Sequence, residues 1–548
     1  MKHFPWLVSC VLVLSAAAAD EYDVVVYGGT PGGVMAVVEA SRLGRSAVLI
    51  EPGRHIGGLT SGGLGFVDVG KKDAIGGLAR EYFHRVWAHY QRDDAWRWEK
   101  RRAIAAQGVR ADDPDPTMWV VEPGVAEGVF TQFMAEAKAP VITGERLDRK
   151  AGVKKDGARI LQIAMESGRI FRGRMFIDAT YEGDLLAAAG ASYMLGRESN
   201  AEFGETLNGI RPAERPFKLD IDPYVIKGNP SSGLLPRILP ALDGKPGAAD
   251  RKVQAYCYRM CLTDVPANRV MIEKPVGYDE RQYEIVLRAI EAGHPIDRFF
   301  KIKCSMLPNR KTDSNNHGPI STDYVGKSWD YAEADYARRV EIEKEHELWQ
   351  RGLVWTLQNH PRVPAAVKAH YGPWGLPKDE FKDNGHWSHQ LYVREARRLR
   401  GEYVVTERDC LNKTSVPDPA GLASYTMDSH YMQYVAGANG MLHVEGGMEY
   451  RLRSPYPVSY RALVPKRGEC ENLLVPVCLS ASHAAYGSIR MEPVFMILGQ
   501  SAAAAASLAI EDGIAVQDVP YARLRDRLLA GAQVLEVRRP AAAVNPAK

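Results

Sequence analysis

The glycine-rich turn near the start of the chain is the feature that most restricts its fold. A short β-branched segment, 22–27, predicts a strand, and a run of small residues, 34–43, predicts a helix after the turn. A strand, a tight glycine turn and a helix in that order offer free backbone N–H groups and a positive helix end, which a pyrophosphate group requires. The sequence therefore predicts a dinucleotide site formed by Gly28, Gly29, Thr30, Pro31, Gly32 and Gly33.

The next predicted strand, 47–50, ends in an acidic residue that fits the same interpretation. Glu51 lies 23 positions after Gly28, where a carboxylate can accept hydrogen bonds from ribose hydroxyls. The turn departs from the G-x-G-x-x-G pattern because Thr30 stands where the second glycine is expected. An ordinary strand, turn and helix with a glycine-rich bend is the alternative, and Glu51 favours the nucleotide site over it.

An extended glycine segment after Glu51 indicates which dinucleotide is bound. The segment starts at Pro52 and contains the run HIGGLTSGG, with Gly57, Gly58 and Thr60. Such a segment can lie along the remaining length of a flavin dinucleotide, and here the chain resembles the two-dinucleotide-binding flavoproteins of the glutathione reductase type. The resemblance implies FAD as the cofactor, with Pro52, Gly57, Gly58 and Thr60 among its contacts.

A predicted strand in the middle of this first region resembles another part of the same site. The segment 174–180 is apolar and ends in Asp178, Ala179 and Thr180. It resembles the "DATG" strand that such flavoproteins place beside the adenosine half of FAD. The resemblance adds these three residues to the expected cofactor contacts.

The second half of the signature lies about 300 residues later. A strand is predicted over 472–478, a small and polar loop over 479–488, and an apolar helix over 492–510 with Pro493 in its first turn. The start of such a helix stabilises the negative charge that reduced flavin develops. The family's ribityl-binding aspartate is absent from this chain, so Ser480 or Ser482 is expected in its place.

Several long strings resemble one group, the FAD-dependent oxidoreductases of the FAD_oxidored family. They include YDVVVYGGTPGG, FIDATYEGDLLAAAG, YTMDSHY and ECENLLVPVCLSASHAAYGSIRMEPVFMILGQSA, and together they extend from residue 22 to about residue 510. The resemblance implies an α/β fold, with a Rossmann-like FAD-binding domain of the glutathione reductase type and an inserted α+β substrate domain. It implies a dehydrogenase or oxidase, without identifying the substrate or the electron acceptor.

The order of these motifs predicts a discontinuous cofactor domain. Residues 20–191 and 435–530 are assigned to FAD binding, 192–434 to a substrate domain over the open face of the flavin, and 531–548 to a flexible tail. Residues 1–19 have the basic start, apolar stretch and small-residue end of a signal peptide, which predicts a periplasmic or secreted protein. The helix 492–510 is about as long as a membrane span, but its Gly499 and its alanine run favour close packing in a core, so no stable membrane insertion is expected.

Flavin chemistry needs a donor C–H held against the ring and a group that takes a hydroxyl or amine proton. His483, in the predicted loop before the last helix, is the first candidate base, with hydrogen bonding to loop carbonyls as the structural alternative. Arg490 is the candidate that offsets an anionic reduced flavin or holds a substrate carboxylate, and a structural salt bridge is its alternative. The working hypothesis is hydride removal from a C–H next to a hydroxyl or amine of a small organic substrate, with a carbohydrate derivative as one option.

Tyr460 and His430 are further catalytic candidates because they lie in strings that resemble the family. Arg394, Glu395 and Arg397 have helical spacing, which predicts a surface or interdomain ion network rather than catalysis.

Composition excludes several other classes of function. The net charge of +3, from 70 basic and 67 acidic residues, gives no reason to expect nucleic acid as a partner. The sequence contains no Cys-x-x-Cys pair, so neither a zinc ribbon nor an iron-sulfur cluster is expected, and no metal site is predicted. Two alternatives remain: a non-catalytic FAD-binding protein, and a polysaccharide-processing enzyme of lyase type, for which no paired catalytic carboxylates are evident.

Overall fold

A computed structural model of the protein describes residues 20–101 and 116–536. The predicted signal peptide, 1–19, and residues 537–548 of the predicted tail lie outside the described residues. Residues 531–536, predicted as the start of the flexible tail, instead pack against the body of the protein. Leu535 is buried, and the side-chain amide of Gln533 donates to the backbone oxygen of Ile497 at 3.1 Å.

A seven-stranded sheet forms the centre of the molecule. Its strands are β1 (Asp20–Tyr27), β2 (Ala47–Glu51), β3 (Val141–Thr143), β4 (Val153–Asp156), β5 (Arg159–Ala164), β6 (Ile170–Asp178) and β7 (Leu473–Leu474). The order β3-β2-β1-β6 is parallel throughout. The other edge of β6 pairs with antiparallel β5 and parallel β7, and β4 pairs with β5. The protein is therefore a mixed α/β fold with a parallel core.

The register of the parallel strands places three turns at one edge of the sheet. Tyr27, the last residue of β1, lies opposite Ile50 of β2 and Asp178 of β6. Ligands of open α/β sheets bind outside the carboxyl ends of the strands, so this edge is where a cofactor is expected. The strand predicted over 472–478 has only the two residues of β7, because the rest of that segment leaves the sheet.

The main helices are α1 (Pro31–Arg42), α2 (Gly58–Ser61), α3 (Gly77–His89), α4 (Pro123–Ala137), α5 (Tyr336–Asn359), α6 (His483–Ile489) and α7 (Glu492–Asp512). Shorter helices are Asp184–Ala188, Asn200–Phe203, Glu284–Glu291, Ala365–Tyr371, Glu407–Cys410 and Tyr521–Ala530. The prediction of a loop over 479–488 was wrong in part, since α6 begins inside it. The side chain of Ser482 caps α6 by accepting a hydrogen bond from the backbone of Ala485, which explains why the polar segment turns into a helix there.

Helix α7 is long and apolar enough to cross a membrane by length and composition, and its residues from Glu492 to Ile510 are buried inside the protein. Its small residues permit a very close approach to α1. A Cβ added at Gly499 would lie 2.0 Å from the backbone oxygen of Gly32, so no larger residue fits at that position. The helix packs as a core element against the first turn of α1, as the sequence predicts.

Residues 192–434 consist largely of irregular chain with short paired strands. Their pairs are Tyr193–Met194 with Arg398–Leu399, Arg269–Val270 with Leu376–Pro377, and Met306–Leu307 with Lys311–Thr312. Further pairs join Pro419–Ala423 to Tyr456–Ser459, Met427–Ser429 to Met448–Tyr450, and Gln433–Ala436 to both Leu442–Glu445 and Ile238–Leu239. One hydrophobic cluster contains buried residues of this segment and of the parallel-sheet region, so the two share a continuous core.

The segment with Arg394, Glu395 and Arg397 is not helical, which corrects the prediction from its spacing. All three side chains are buried. The network is therefore internal, and the charges on it are compensated by partners inside the protein rather than by solvent.

Candidate functional site

The glycine turn after β1 packs tightly against the end of β6. Gly28 has a φ of 109°, and a Cβ at that position would lie 2.6 Å from the carbonyl carbon of Ala179. A Cβ at Gly33 would lie 1.9 Å from the backbone oxygen of Gly28. Only glycine allows this turn to close, so the first turn of α1 can present its N–H groups at the carboxyl edge of the sheet.

Thr30, which replaces the second glycine of the usual pattern, is the N-cap of α1. Its hydroxyl donates to the backbone oxygen of Ala179 at 2.7 Å and accepts from the backbone N–H of Gly33 at 3.3 Å. The side chain thus ties α1 to the segment after β6. The departure from the glycine pattern has a structural function here, because a threonine cap stabilises the helix start that a pyrophosphate needs.

Glu51 lies beside this turn. Its carboxylate accepts from the backbone N–H of Gly29 at 2.7 Å and from that of Gly53 at 2.5 Å. Burial raises the pKa of Glu51, although these two donors oppose the change. Each carboxylate oxygen can accept a second hydrogen bond, so Glu51 retains the capacity to bind ribose hydroxyls.

A cavity of about 190 Å³ opens at this edge of the sheet, called the first cavity below. The predicted cofactor residues that line it are Gly28, Thr30, Glu51, Pro52, Gly58 and Thr180. Its other wall comes from later parts of the chain, including Tyr331, Arg339, Glu343, His389, Gln390 and Leu391. A glycine turn that excludes Cβ atoms, a helix start and the carboxylate of Glu51 meet at one cavity, a combination expected around the diphosphate and a ribose of a dinucleotide.

The other predicted cofactor residues do not line the first cavity, and several of them form the turns and helix starts near it. Pro31, Gly32 and Gly33 form the first turn of α1, and the backbone N–H of Gly57 donates to Gly29 at 2.7 Å. Asp178, Ala179, Ser482 and Pro493 serve in strand ends, caps and helix starts.

Asp178 is the clearest case of such a supporting residue. It accepts hydrogen bonds from the backbone and hydroxyl of Thr180 and from the backbone of Leu186. Burial raises its pKa to about 6. The carboxylate holds the turn after β6 in shape, and Thr180 of that turn reaches the first cavity.

Glu492, the first residue of α7, is a buried group that the sequence does not single out. Its carboxyl accepts from the hydroxyl of Tyr181 at 2.8 Å and from that of Thr60 at 3.4 Å. Burial raises the pKa of Glu492 to about 8, against the effect of both donors. The predicted contact residue Thr60 is thereby linked to the start of α7. An acid next to proline at a helix start is a weak signal that could have indicated it.

We expect Glu492→Gln to change how stability depends on pH. Below pH 4.5, the ordinary pKa of a glutamate, Glu492 is neutral and makes its full contribution to the free energy of unfolding. This contribution is lost as the pH rises through about 8, the pKa of Glu492 in the folded protein. The glutamine cannot ionise, so between pH 5 and 9 the variant should gain up to a few kcal/mol relative to the unsubstituted protein, since one pKa unit corresponds to about 1.4 kcal/mol. Denaturant unfolding of the cofactor-free protein at several pH values measures the difference.

Glu341→Gln, at an exposed position of α5, is the matched control and should leave the pH dependence unchanged. If the curves for Glu492→Gln and the unsubstituted protein ran parallel from pH 5 to 9, Glu492 would not be the neutral buried acid described here.

A second cavity, of about 510 Å³, lies next to the first. Leu391 lines the first cavity and the following residue, Tyr392, lines the second. Arg490 and Met491, which directly precede α7, are also part of its wall. The second cavity is therefore adjacent to the helix start that is expected to face the reactive part of the cofactor.

Two predicted catalytic residues, His430 and Arg490, line the second cavity together. The Nδ1 atom of His430 lies 2.6 Å from Asp323, and its Nε2 atom lies 3.4 Å from Asp428. Arg490 donates to Asp428 at 2.7 Å and to the hydroxyl of Tyr392 at 2.8 Å. The structure thus joins residues from four distant parts of the sequence into one polar cluster.

The carboxylates of this cluster are held in the ionised form. Burial opposes ionisation of Asp428, but the hydrogen bond and charge of His430 and the charge of Arg490 outweigh it and lower the pKa to about 2. Burial likewise opposes ionisation of Asp323, and the charges of Arg394 and His430 lower its pKa. Asp323 therefore remains a strong acceptor for the Nδ1–H group of His430.

A second charged group on the same wall is formed by Arg259. Its guanidinium binds Asp313 through two hydrogen bonds of 2.6 Å each and lies 3.9 Å from Asp68. The hydroxyl of Tyr425 donates to Asp68 at 3.0 Å. Sequence reasoning missed Arg259 and Asp68, because neither lies in a recognisable motif.

His483 and Tyr460 are not brought to this cluster. The Nδ1 atom of buried His483 lies 2.7 Å from Glu395, which also pairs with Arg398. The hydroxyl of Tyr460 donates to the backbone oxygen of Val516 at 2.7 Å. Within residues 20–101 and 116–536, neither side chain lines the first or the second cavity. Their catalytic roles stay predictions, and the partner of His483 is a carboxylate rather than the loop carbonyls of the structural alternative.

Comparison with known proteins gives one curated relative and several solved structures. A vinyl phenol reductase from Lactiplantibacillus plantarum is 30% identical over 135 residues, which cover 21% of this chain and 27% of that protein. An L-amino acid deaminase from Proteus vulgaris is 16% identical and superposes with a TM-score of 0.24. The match covers 35% of this chain and 55% of the deaminase chain. An L-proline dehydrogenase from P. horikoshii is 15% identical, with coverage of 33% and 59% and a TM-score of 0.23.

At these TM-scores the structural likenesses identify no shared substrate, and the chain spans about a quarter of the curated relative. The match to a sequence family is far longer. The family described as FAD dependent oxidoreductase matches residues 23–528. This range includes the residues that line both cavities and the whole parallel core except the first three residues of β1. The chain therefore belongs to the family of FAD-dependent oxidoreductases, with FAD as its cofactor.

Proposed function

We propose that the protein removes a hydride from a C–H bond next to a hydroxyl or amine of a small polar substrate bound in the second cavity. The observation that carries this proposal is His430, which lines that cavity with its Nδ1 atom 2.6 Å from Asp323. When bound, FAD supplies the hydride acceptor of the reaction. Residues at the first cavity and the start of α7 would hold it, as the glycine turn, Glu51 and the helix dipole allow.

The role of His430 follows from its two hydrogen-bonding atoms. Asp323 accepts from Nδ1–H, so Nε2 is the ring atom available to exchange a proton with the substrate. The contact of 3.4 Å between Nε2 and Asp428 is longer than the usual range of about 2.7–3.2 Å, so a substrate hydroxyl or amine can replace Asp428 at this atom. As His430 takes the hydroxyl or amine proton, the charge of Asp323 stabilises the imidazolium that forms.

Arg490 pairs with Asp428, so Asp428 does not act as the base of this reaction. Its guanidinium donates to Asp428 at 2.7 Å and lies ahead of the start of α7. The pair fixes Asp428 as an ionised acceptor that can orient a second hydroxyl of the substrate. Arg490 itself, with its Nε atom buried and unpartnered, retains a donor for an oxygen of the substrate or cofactor.

The lining of the second cavity favours a polar substrate. Charges of both signs occur on its wall, and those of Arg490 and Arg259 are already paired with aspartates of the protein. A cavity with this balance suits a neutral molecule that carries several hydroxyl groups. We therefore propose a carbohydrate-derived substrate and, from the sequence of residues 1–19, export to the periplasm or the medium.

A substrate screen tests this proposal. The protein reconstituted with FAD should show flavin absorbance, and anaerobic addition of sugars, sugar acids, polyols or amines should bleach it. Bleaching by hydroxyl- or amine-bearing compounds supports the proposal. A flavin that is reduced by light but by no member of the panel would contradict it and favour a non-catalytic FAD-binding protein.

A further inference from the structure

The imidazole of His389 is a buried polar group without a partner. Both of its ring nitrogens are shielded from solvent, and neither makes a hydrogen bond. A neutral imidazole has one donor and one acceptor, and leaving such groups unsatisfied in a protein interior destabilises the fold. His389 lines the first cavity, so a ligand bound there is the natural source of the missing partner.

Several other polar side chains of the first cavity differ from His389 because they have hydrogen-bond partners within the protein. These satisfied contacts are Glu51 with Gly29 and Gly53, Tyr331 with Glu343, and Arg339 with Asp184. Among the described residues that line this cavity, only His389 has buried side-chain polar atoms that lack a hydrogen-bond partner.

The position of His389 is fixed by a stacked neighbour. Its ring lies on that of His55, with centroids 4.1 Å apart and planes 13° from parallel. His55 is held in turn by Glu127 and Asp383, each at 3.0 Å, and the hydrogen bond of Glu127 is the main cause that raises the pKa of His55. His389 is thus oriented before any ligand binds, which reduces the entropy lost on binding.

We propose that His389 is a cofactor-binding residue that donates a hydrogen bond to a diphosphate oxygen of FAD. His389 shares the first cavity with Gly28 and Thr30 at the start of α1, where the backbone favours an anion. The same cavity contains the carboxyl groups of Glu51 and Glu343, so an additional donor offsets their unfavourable effect on a phosphate.

The charge state of His389 agrees with this role. Burial, followed by the charge of His55, lowers the pKa of His389 to about 4, so the ring is neutral and offers one N–H group.

The position of His389 in the chain also has a consequence for assembly of the cofactor site. His389 comes from the segment 192–434, so the cofactor site is complete only after that segment has packed against the parallel core. This inference concerns the cofactor and does not depend on which substrate is oxidised.

The test compares three substitutions of His389 by titrating the cofactor-free protein with FAD. His389→Leu removes both polar atoms, whereas His389→Asn and His389→Gln can each keep a donor near one ring nitrogen. We expect His389→Leu to raise the Kd for FAD by about tenfold or more, as for a lost hydrogen bond to a charged group, and one of the amides to restore most of it. His370→Leu, on the helix Ala365–Tyr371 away from both cavities, is the matched control and should leave the Kd unchanged.

Two fragments of the cofactor locate the contact. ADP carries the diphosphate and riboflavin does not, so His389→Leu should weaken ADP by the same factor as FAD and leave riboflavin unaffected. An unchanged Kd for FAD in His389→Leu would overturn the proposal, and weakened riboflavin with unaffected ADP would overturn its assignment to the diphosphate. The thermal midpoint of cofactor-free His389→Leu should equal or exceed that of the unsubstituted protein, because leucine has no unsatisfied polar atoms, and this separates binding from folding.

Discussion

Replacement of His430 by glutamine is expected to slow flavin reduction by substrate about 10²- to 10⁴-fold, the usual contribution of a general base. Glutamine can still hydrogen-bond to Asp323, but it cannot take up the proton that leaves the substrate. Binding of FAD should not change, because His430 lines the second cavity and not the first. Anaerobic stopped-flow measurement of flavin bleaching, with a substrate found by the screen, gives the rate.

Two further variants separate this role from a general effect on the structure. Asp323→Asn should slow the same step by a smaller factor and alter its pH profile, since the amide no longer stabilises the imidazolium at 2.6 Å. His443→Gln, in the strand Leu442–Glu445 and outside the second cavity, should behave as the unsubstituted protein does. If His430→Gln retained the rate within a few-fold, the base would be another residue.

The parts of the fold that sequence predicted well are those set by local chemistry. The turn after β1 has glycine at positions 28 and 33 because a Cβ at either position would clash with backbone atoms. This requirement is visible in the sequence as a glycine pattern. Helix α7 is similar, because its small residues must pack against the backbone of α1. Glu51, predicted as a ribose contact, bonds to the turn itself and lines the first cavity, and its role in binding the cofactor stays a prediction.

The catalytic candidates could not be ranked from sequence, because the surroundings of each side chain depend on contacts between distant residues. His483 is the histidine nearest in sequence to α7, yet its ring pairs with Glu395, 88 positions earlier, and lines neither cavity among the described residues. His430 ranked lower, although it lines the second cavity and its ring is held by Asp323, 107 positions before it. Spacing cannot reveal such pairs, since the chain between them is long and irregular.

The segment 192–434 was the hardest to interpret for a related reason. Its short strands have two to five residues each, too few for a periodic pattern, and its buried ion pairs give polar positions inside the core. The spacing of Arg394, Glu395 and Arg397 therefore suggested a helix surface where the structure has buried extended chain. Arg259 and His389 were not identified from the sequence, because only their positions at the two cavities indicate that they could bind a ligand.

Gly33→Ala is expected to abolish tight FAD binding. The added Cβ would lie 1.9 Å from the backbone oxygen of Gly28 and 3.1 Å from the Cβ of Ala179, so the turn or the first turn of α1 must move. Overpacking of this kind destabilises a protein by about 1–3 kcal/mol, and the displaced N–H groups can no longer converge on a diphosphate. We expect a loss of affinity for FAD of at least about a hundredfold, measured by titration of the cofactor-free protein.

Gly128→Ala provides the matched control, because a Cβ at that exposed position of α4 meets no heavy atom within 4 Å. Alanine is favoured over glycine inside a helix by about 0.8–1 kcal/mol, so this variant should unfold at a slightly higher temperature and bind FAD normally. The same chemical change thus has opposite consequences at the two sites. If Gly33→Ala bound FAD as tightly as Gly128→Ala does, the first turn of α1 would not support the cofactor, and the diphosphate would have to lie elsewhere in the first cavity.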